Sequence, residues 1–142
     1  MDTIPITTRL SVISDSVKAL RQYRKLTYEK FSQDRTISRA AERYFQLAIQ
    51  AALDISAVVL AEEGVSIPEE YRDIFPRLGD IGVLPPEFAQ KLVGMAKFRN
   101  VLVHLYLQVD PEKVYHYLQH DLGDLERFAQ YIGEYLYQKG QA

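Results

Sequence analysis

Apolar residues recur along this chain at three- and four-residue intervals, not in the strict alternation of a half-buried strand, so helices are predicted throughout. A first helix is predicted from about Ser11 to Phe31, on Leu10, Ile13, Val17 and Leu20, with an end blurred by Thr27, Tyr28 and the polar run 32–34. A second runs from about Thr36 to Glu63 and stops at Gly64, burying Ala40, Ala41, Tyr44, Leu47, Ala48, Ala51, Ala52, Ile55 and Val59. Its alanines permit close helix approach. A short helix from about Pro68 to Leu78 presents Tyr71, Ile74 and Phe75, and the loop from Gly79 to Pro86 resets the chain direction. Pro86 suits the first turn of a fourth helix that continues to Tyr106. The last helix opens at Asp110-Pro111, a capping residue followed by a first-turn proline, and carries Val114, Leu118, Leu122, Leu125, Phe128, Ile132 and Leu136. The expected fold is all-α: an antiparallel up-down bundle of four main helices plus one short helix, in a single domain over residues 1–142.

Composition narrows the possibilities. With 142 residues, 47% hydrophobic and 25% charged, the chain has apolar surface for one core and no room for a second domain. It contains no cysteine, which excludes disulfides and thiolate chemistry. No basic and apolar leader opens it, and the most apolar stretch, Leu47 to Ala61, is interrupted by Gln50 and Asp54 and is short for a membrane span. The expectation is a cytoplasmic protein with no membrane partner. A net charge of −2 argues against broad, charge-driven coating of nucleic acid, so any contact with RNA must be local.

Candidate chemistry concentrates in the run from Phe98 to Tyr106. Arg99 supplies a permanent planar cation that can hold phosphate oxygens in a fork, and His104 a side chain that exchanges protons near neutrality. On a helical wheel Met95, Phe98, Val101, Leu102 and Leu105 form an apolar face. Arg99, Asn100 and His104 fall opposite, with Asn100 and His104 in i, i+4 register so that the amide can orient the imidazole. Leu92, Ala96 and Val103 interleave with Arg99, so this second face should also be covered, either by a neighbouring helix of the same bundle or by the same helix of a second protomer, the second protomer being favoured.

These residues give the chain its resemblance. It resembles the HepT-like branch of the HEPN superfamily, helical-bundle ribonucleases paired with a nucleotidyltransferase antitoxin, over nearly its whole length. The most specific element is R-x4-H-x-Y, matched by Arg99, His104 and Tyr106; Glu42-Arg43-Tyr44, Asp54, Pro68-Glu69-Glu70-Tyr71 and the segment from Asp110 to Tyr115 support it more weakly. The resemblance implies a homodimer with its cleft at the two-fold interface, RNA as substrate, and neither metal nor other cofactor. It also implies that Arg99 and His104 are catalytic, and that Tyr106 is adenylylated by the antitoxin. A metal-free cleavage would draw its nucleophile from the adjacent ribose 2′-OH.

Blander readings stand beside these. Arg99 and His104 can serve structural ion pairs or hydrogen bonds, and Tyr106 can close the core at a helix end. Asp54 reads as a buried carboxylate tied to an arginine, Arg43 being the nearest on its helix. His116 and His120, in i, i+4 register with Asp124 nearby, have a spacing that can ligate zinc but lack a fuller metal motif. The tyrosines 115, 117, 131, 135 and 137 read as core or dimer contacts ahead of base-stacking platforms. Lys18, Arg21, Arg24, Lys25 and Lys30 make the first helix basic, as an RNA-steering or simply a solvated face. The rival to an endoribonuclease is a noncatalytic helical module that binds a nucleotidyltransferase or nucleotide. The sequence does not specify which RNA would be cut.

Overall fold

A computed structural model describes residues 1–103 and 109–140. The described residues are all-α, as the hydrophobic spacing predicts, but the helices are more numerous than four and one. They are α1 (Ile4–Tyr23), α2 (Tyr28–Gln33), α3 (Arg35–Glu62), a 3-10 turn at Tyr71–Asp73, α4 (Ile74–Asp80), α5 (Pro86–Lys91), α6 (Val93–Val103), α7 (Pro111–His120) and α8 (Leu122–Gln138).

Three of the expected long elements are therefore broken, each where the chain changes packing partner. The first block separates at 24–26: α1 packs along α3, while α2 turns to meet α3 and α7. Thr27 restarts the helix by accepting the Lys30 N–H on its hydroxyl, at 3.3 Å. The fourth block breaks at Leu92, whose N–H is shared between the Phe88 and Ala89 carbonyls at 3.2 Å each. That tightened turn frees α5 to pack on α4 and α6 to pack on α3. The final block breaks at Asp121, whose N–H closes α7 on the Tyr117 carbonyl at 2.9 Å. Periodic burial continues across all three breaks, which is why spacing alone predicts continuous helices.

α3 is the hub. Asp34 caps its start by accepting the Ile37 N–H at 3.2 Å, and Gly64, with φ of 71°, closes its far end in the left-handed region. Ala41, Ala48, Ala51, Ala52, Ile55 and Val59 are buried as expected, but so are Phe45, Ile49, Leu53 and Ser56. This wider buried face reflects neighbours on several sides: α1, α6, the C-terminal helices and α4. By length and hydropathy α3 is long and apolar enough to cross a membrane, contrary to the sequence expectation, and 56% of its most apolar window is buried within the protein.

At the centre, Phe98 of α6 stacks on Tyr117 of α7 with ring centroids 4.1 Å apart, and Phe45 of α3 meets both edge-on. The Tyr117 hydroxyl donates to the Gly94 carbonyl at 3.0 Å. Tyr115 likewise donates to the Leu26 carbonyl at 2.6 Å, and Tyr131 packs on Phe88. The core reading thus fits these tyrosines, whereas Tyr137 is exposed. This aromatic cluster fixes α6 against α3 and sets the position of Arg99 in the last turns of α6.

Candidate functional site

One stripe of α3 is polar from Arg35 to Asp54. At about 100° per residue, Arg35, Arg39, Arg43, Gln46, Gln50 and Asp54 fall within roughly a quarter to a third of the helix circumference. α6 lies against this helix, and Arg99 reaches onto the stripe. Its Nε donates to Gln50 Oε1 at 2.8 Å. Gln50 in turn donates through Nε2 to Asp54 Oδ1 at 2.8 Å, and Arg9 of α1 donates to Asp54 Oδ2 at 3.5 Å. On its other side the guanidinium carbon of Arg99 sits 4.5 Å from the centroid of the Tyr71 ring, a cation–π contact supplied by the 3-10 turn. Two other elements therefore hold one cation: α3 through Gln50 and the 3-10 turn through Tyr71.

The energetics of this string favour positioning over stability. The side chains of Arg9 and Asp54 are 39% and 41% exposed, a regime in which ion pairs contribute little net free energy. Because Gln50 has an amide with a donor and an acceptor end, it can bond a cation and a carboxylate together only in one orientation. That orientation fixes the plane in which the Arg99 fork lies.

Several expectations change here. Asp54 is not buried, and its arginine is Arg9; Arg43 donates instead to Gln46 Oε1 at 3.3 Å. Leu92 and Ala96, expected to need a second protomer, are 1% and 0% exposed within the single chain. Met95, Phe98 and Leu102 are buried as predicted, while Val101 is only half-buried. Asn100 is exposed, and its Oδ1 accepts from Arg99 Nη1 at 3.1 Å. His104 and Tyr106 lie outside the described residues, so the structure brings together only the Arg99 half of the predicted pair. The anchoring roles of Gln50, Tyr71 and Arg9 were missed from sequence; the available signal was a Gln and an Asp in i, i+4 register on an otherwise apolar helix.

A concavity of about 450 Å³, lined by Tyr71, Lys97 and Asn100 among others, adjoins Arg99; further concavities lie apart from it. One of about 540 Å³ between the C-terminal ends of α3 and α8 includes Glu63, Tyr131, Tyr135 and Lys139. Lys139 pairs with Glu63 at 2.9 Å. Burial, with the Glu63 and Glu62 charges, pushes the Tyr135 phenol up to about 12. Arg99 does not line it.

His116 and His120 have ring centroids 4.6 Å apart. Among the described residues no group of three or more His, Asp or Glu is arranged to hold a metal ion, so the zinc reading finds no third ligand there. The acidic groups beside them are structural. Asp124 is 5% exposed and bonds Lys91 at 3.2 Å. Asp121 has its pKa raised, chiefly by burial and then by the Asp124 charge, against smaller opposing effects of His116, Lys91 and His120.

Comparison with known proteins follows the same outline. The family profile described as "Ribonuclease HepT-like" matches residues 13–132. The tRNA nuclease HepT of Aphanizomenon flos-aquae is 26% identical over 136 residues, covering 96% of this chain and 92% of that one. The mRNA nuclease HepT of Shewanella oneidensis is 29% identical over 103 residues, covering 72% and 77% respectively. Among solved structures, the tri-AMPylated Shewanella oneidensis HEPN toxin in complex with MNT antitoxin superimposes with a TM-score of 0.83 at 27% identity, covering 94% of this chain and 99% of that one.

The raised pKa of Asp121 has a defined sign in stability. The folded state binds this proton more tightly than the unfolded chain, so stability is fully present below the ordinary value of 3.8 and falls as pH rises through the folded pKa. Asp121→Asn should therefore raise the melting temperature at neutral pH and lose that advantage in strong acid, since the Asp121 side chain makes no capping hydrogen bond to forfeit. Thermal melts across pH check this; a variant less stable at neutral pH contradicts it.

Proposed function

Because the chain belongs to the ribonuclease HepT-like family, we propose that it is a metal-independent endoribonuclease toxin whose partner is a nucleotidyltransferase antitoxin. The observation that carries the reading is the Arg99 guanidinium, oriented by Gln50 at 2.8 Å and faced by the Tyr71 ring, five residues before His104. An arginine held this way can present its remaining N–H groups to a phosphodiester as negative charge grows on the nonbridging oxygens. His104 takes the proton from the ribose 2′-OH as that oxygen attacks phosphorus. The bond to the 5′-oxygen then breaks, and a second imidazole, from the other copy of a homodimer, returns a proton to the leaving oxygen. The products are a 2′,3′-cyclic phosphate and a 5′-hydroxyl. DNA, which has no 2′-OH, is refused.

Asn100 supports this site by meeting Arg99 directly, with His104 in i, i+4 register for the same amide. Tyr106 is the silencing point. Transfer of AMP from ATP to its phenolic oxygen, with release of pyrophosphate, would place anionic phosphate and a bulky base beside the cleft and exclude RNA by charge and by size. The Shewanella relative's tri-AMPylated state is the precedent. One relative is named for tRNA and another for mRNA, which supports RNA as the substrate class; a cytoplasmic site of action is part of the same proposal.

Purified protein should cut RNA in the presence of EDTA and leave cyclic phosphate ends. His104→Ala should lose roughly 100-fold or more of the rate without a change in thermal melting. Full activity of that variant would remove His104 from the chemistry, loss of wild-type activity under chelation would point to a metal-dependent reaction, and no cleavage by the wild-type protein would leave the interaction-module reading in its place. After coexpression with a nucleotidyltransferase, intact mass should show added AMP units that disappear in Tyr106→Phe; modification that persists in this variant contradicts the proposed silencing site.

A further inference from the structure

The polar stripe of α3 extends well beyond the two residues that hold Arg99. Arg35, Arg39 and Arg43 are each exposed and stand four residues apart, a rise of about 6 Å per step along the helix axis. Below them Arg43 donates to Gln46 at 3.3 Å, and one helical turn further lies Gln50, which accepts from Arg99. From Arg35 to Gln50 the stripe covers about 22 Å. At its upper end a recess of about 250 Å³ is lined by Arg35, Arg39, Ser32, Ser38 and Glu42, and closed by residues 109 and 111, where the chain returns after the predicted catalytic run.

We propose that Arg35, Arg39 and Arg43 form a track for the phosphate backbone of single-stranded RNA, leading from this recess along α3 to Arg99. The track rests on the ribonuclease reading above, and it assigns substrate positioning to residues with no part in the chemistry. Guanidinium groups at i, i+4 spacing present forks along one line, the arrangement that suits successive phosphates better than it suits an apolar protein interface. None of the three forms a salt bridge with a carboxylate among the described residues. The basic face of α1 is differently disposed: Arg21 is paired with Glu126, and Arg24 donates to the Gln119 carbonyl at 3.2 Å. Glu42 is the one carboxylate lining the recess, so the segment from Arg35 to Arg43 keeps a net positive charge of two from its three arginines. A local cationic line also reconciles RNA binding with an overall charge of −2.

The test is binding of a fluorescently labelled single-stranded RNA, measured by anisotropy across salt concentrations in the cleavage-deficient His104→Ala background. Replacing Arg35, Arg39 and Arg43 with Gln should weaken binding at least about tenfold and reduce the slope of log K against log salt by about 2, or about 0.7 for each phosphate no longer neutralised. Replacing them with Lys should restore most of the slope. Replacing Lys18, on α1, and Lys25, just beyond its end, with Gln should leave it intact. An unchanged slope in the Arg→Gln variant overturns the track, as does loss of affinity that follows dissociation of an oligomer in light scattering, which would make the stripe a protein interface. These outcomes are separable from failure of the ribonuclease reading, which is decided by whether the wild-type protein cleaves RNA at all.

Discussion

The hydrogen bond from Arg99 to Gln50 is the contact through which the fold and the proposed chemistry meet. A guanidinium on a free side chain samples many rotamers, and ordering it costs free energy that a reacting substrate would otherwise supply. Here that ordering is built in before RNA arrives, through a chain of partners running from α6 to α3 and on to α1. The aromatic stack of Phe98 on Tyr117, with Phe45 against both, is what keeps α6 at the distance this contact requires. Arg99 follows Phe98 directly, so the residue most firmly packed on α6 delivers the one most exposed to the proposed chemistry.

α3 serves two purposes along a single helix. Its small and branched apolar residues bring neighbouring helices close, while its polar stripe stays open for side chains that bind or position. The half-exposed state of Arg9 and Asp54 belongs to the same division: such groups add little to stability but hold direction well when several act together. The buried part of the protein and the edge proposed for its chemistry thus lie on different faces of one helix.

Much of this was legible in the sequence. The all-α class, the burial of Met95, Phe98 and Leu102, the ends of α3 and the proline-led start of α7 follow from spacing and capping rules. The breaks near 25, 92 and 121 did not, because hydrophobic periodicity reports which face is buried and not which neighbour buries it. Asp54 shows the same limit. Its solitary charge among apolar residues marked it as paired, yet its partner came from α1, forty-five residues earlier, and no local pattern points that far. The cover over Leu92 and Ala96 came from within the chain, since α5 and α6 turn separately and close that surface themselves. Arg99 was found by its motif; Gln50, which orients it, is an ordinary residue type and becomes conspicuous only when the two helices are placed together.

The measurement that bears most directly on this account is a double-mutant cycle between Gln50 and Arg99, read as kcat/KM for RNA cleavage. If Gln50 acts by orienting the guanidinium, Gln50→Ala should cost about tenfold by itself and nothing further once Arg99 is already alanine, so the double variant should match Arg99→Ala. Losses that multiply in the double variant would show that the two residues contribute independently, and would contradict the claim that α3 sets the chemistry through this contact.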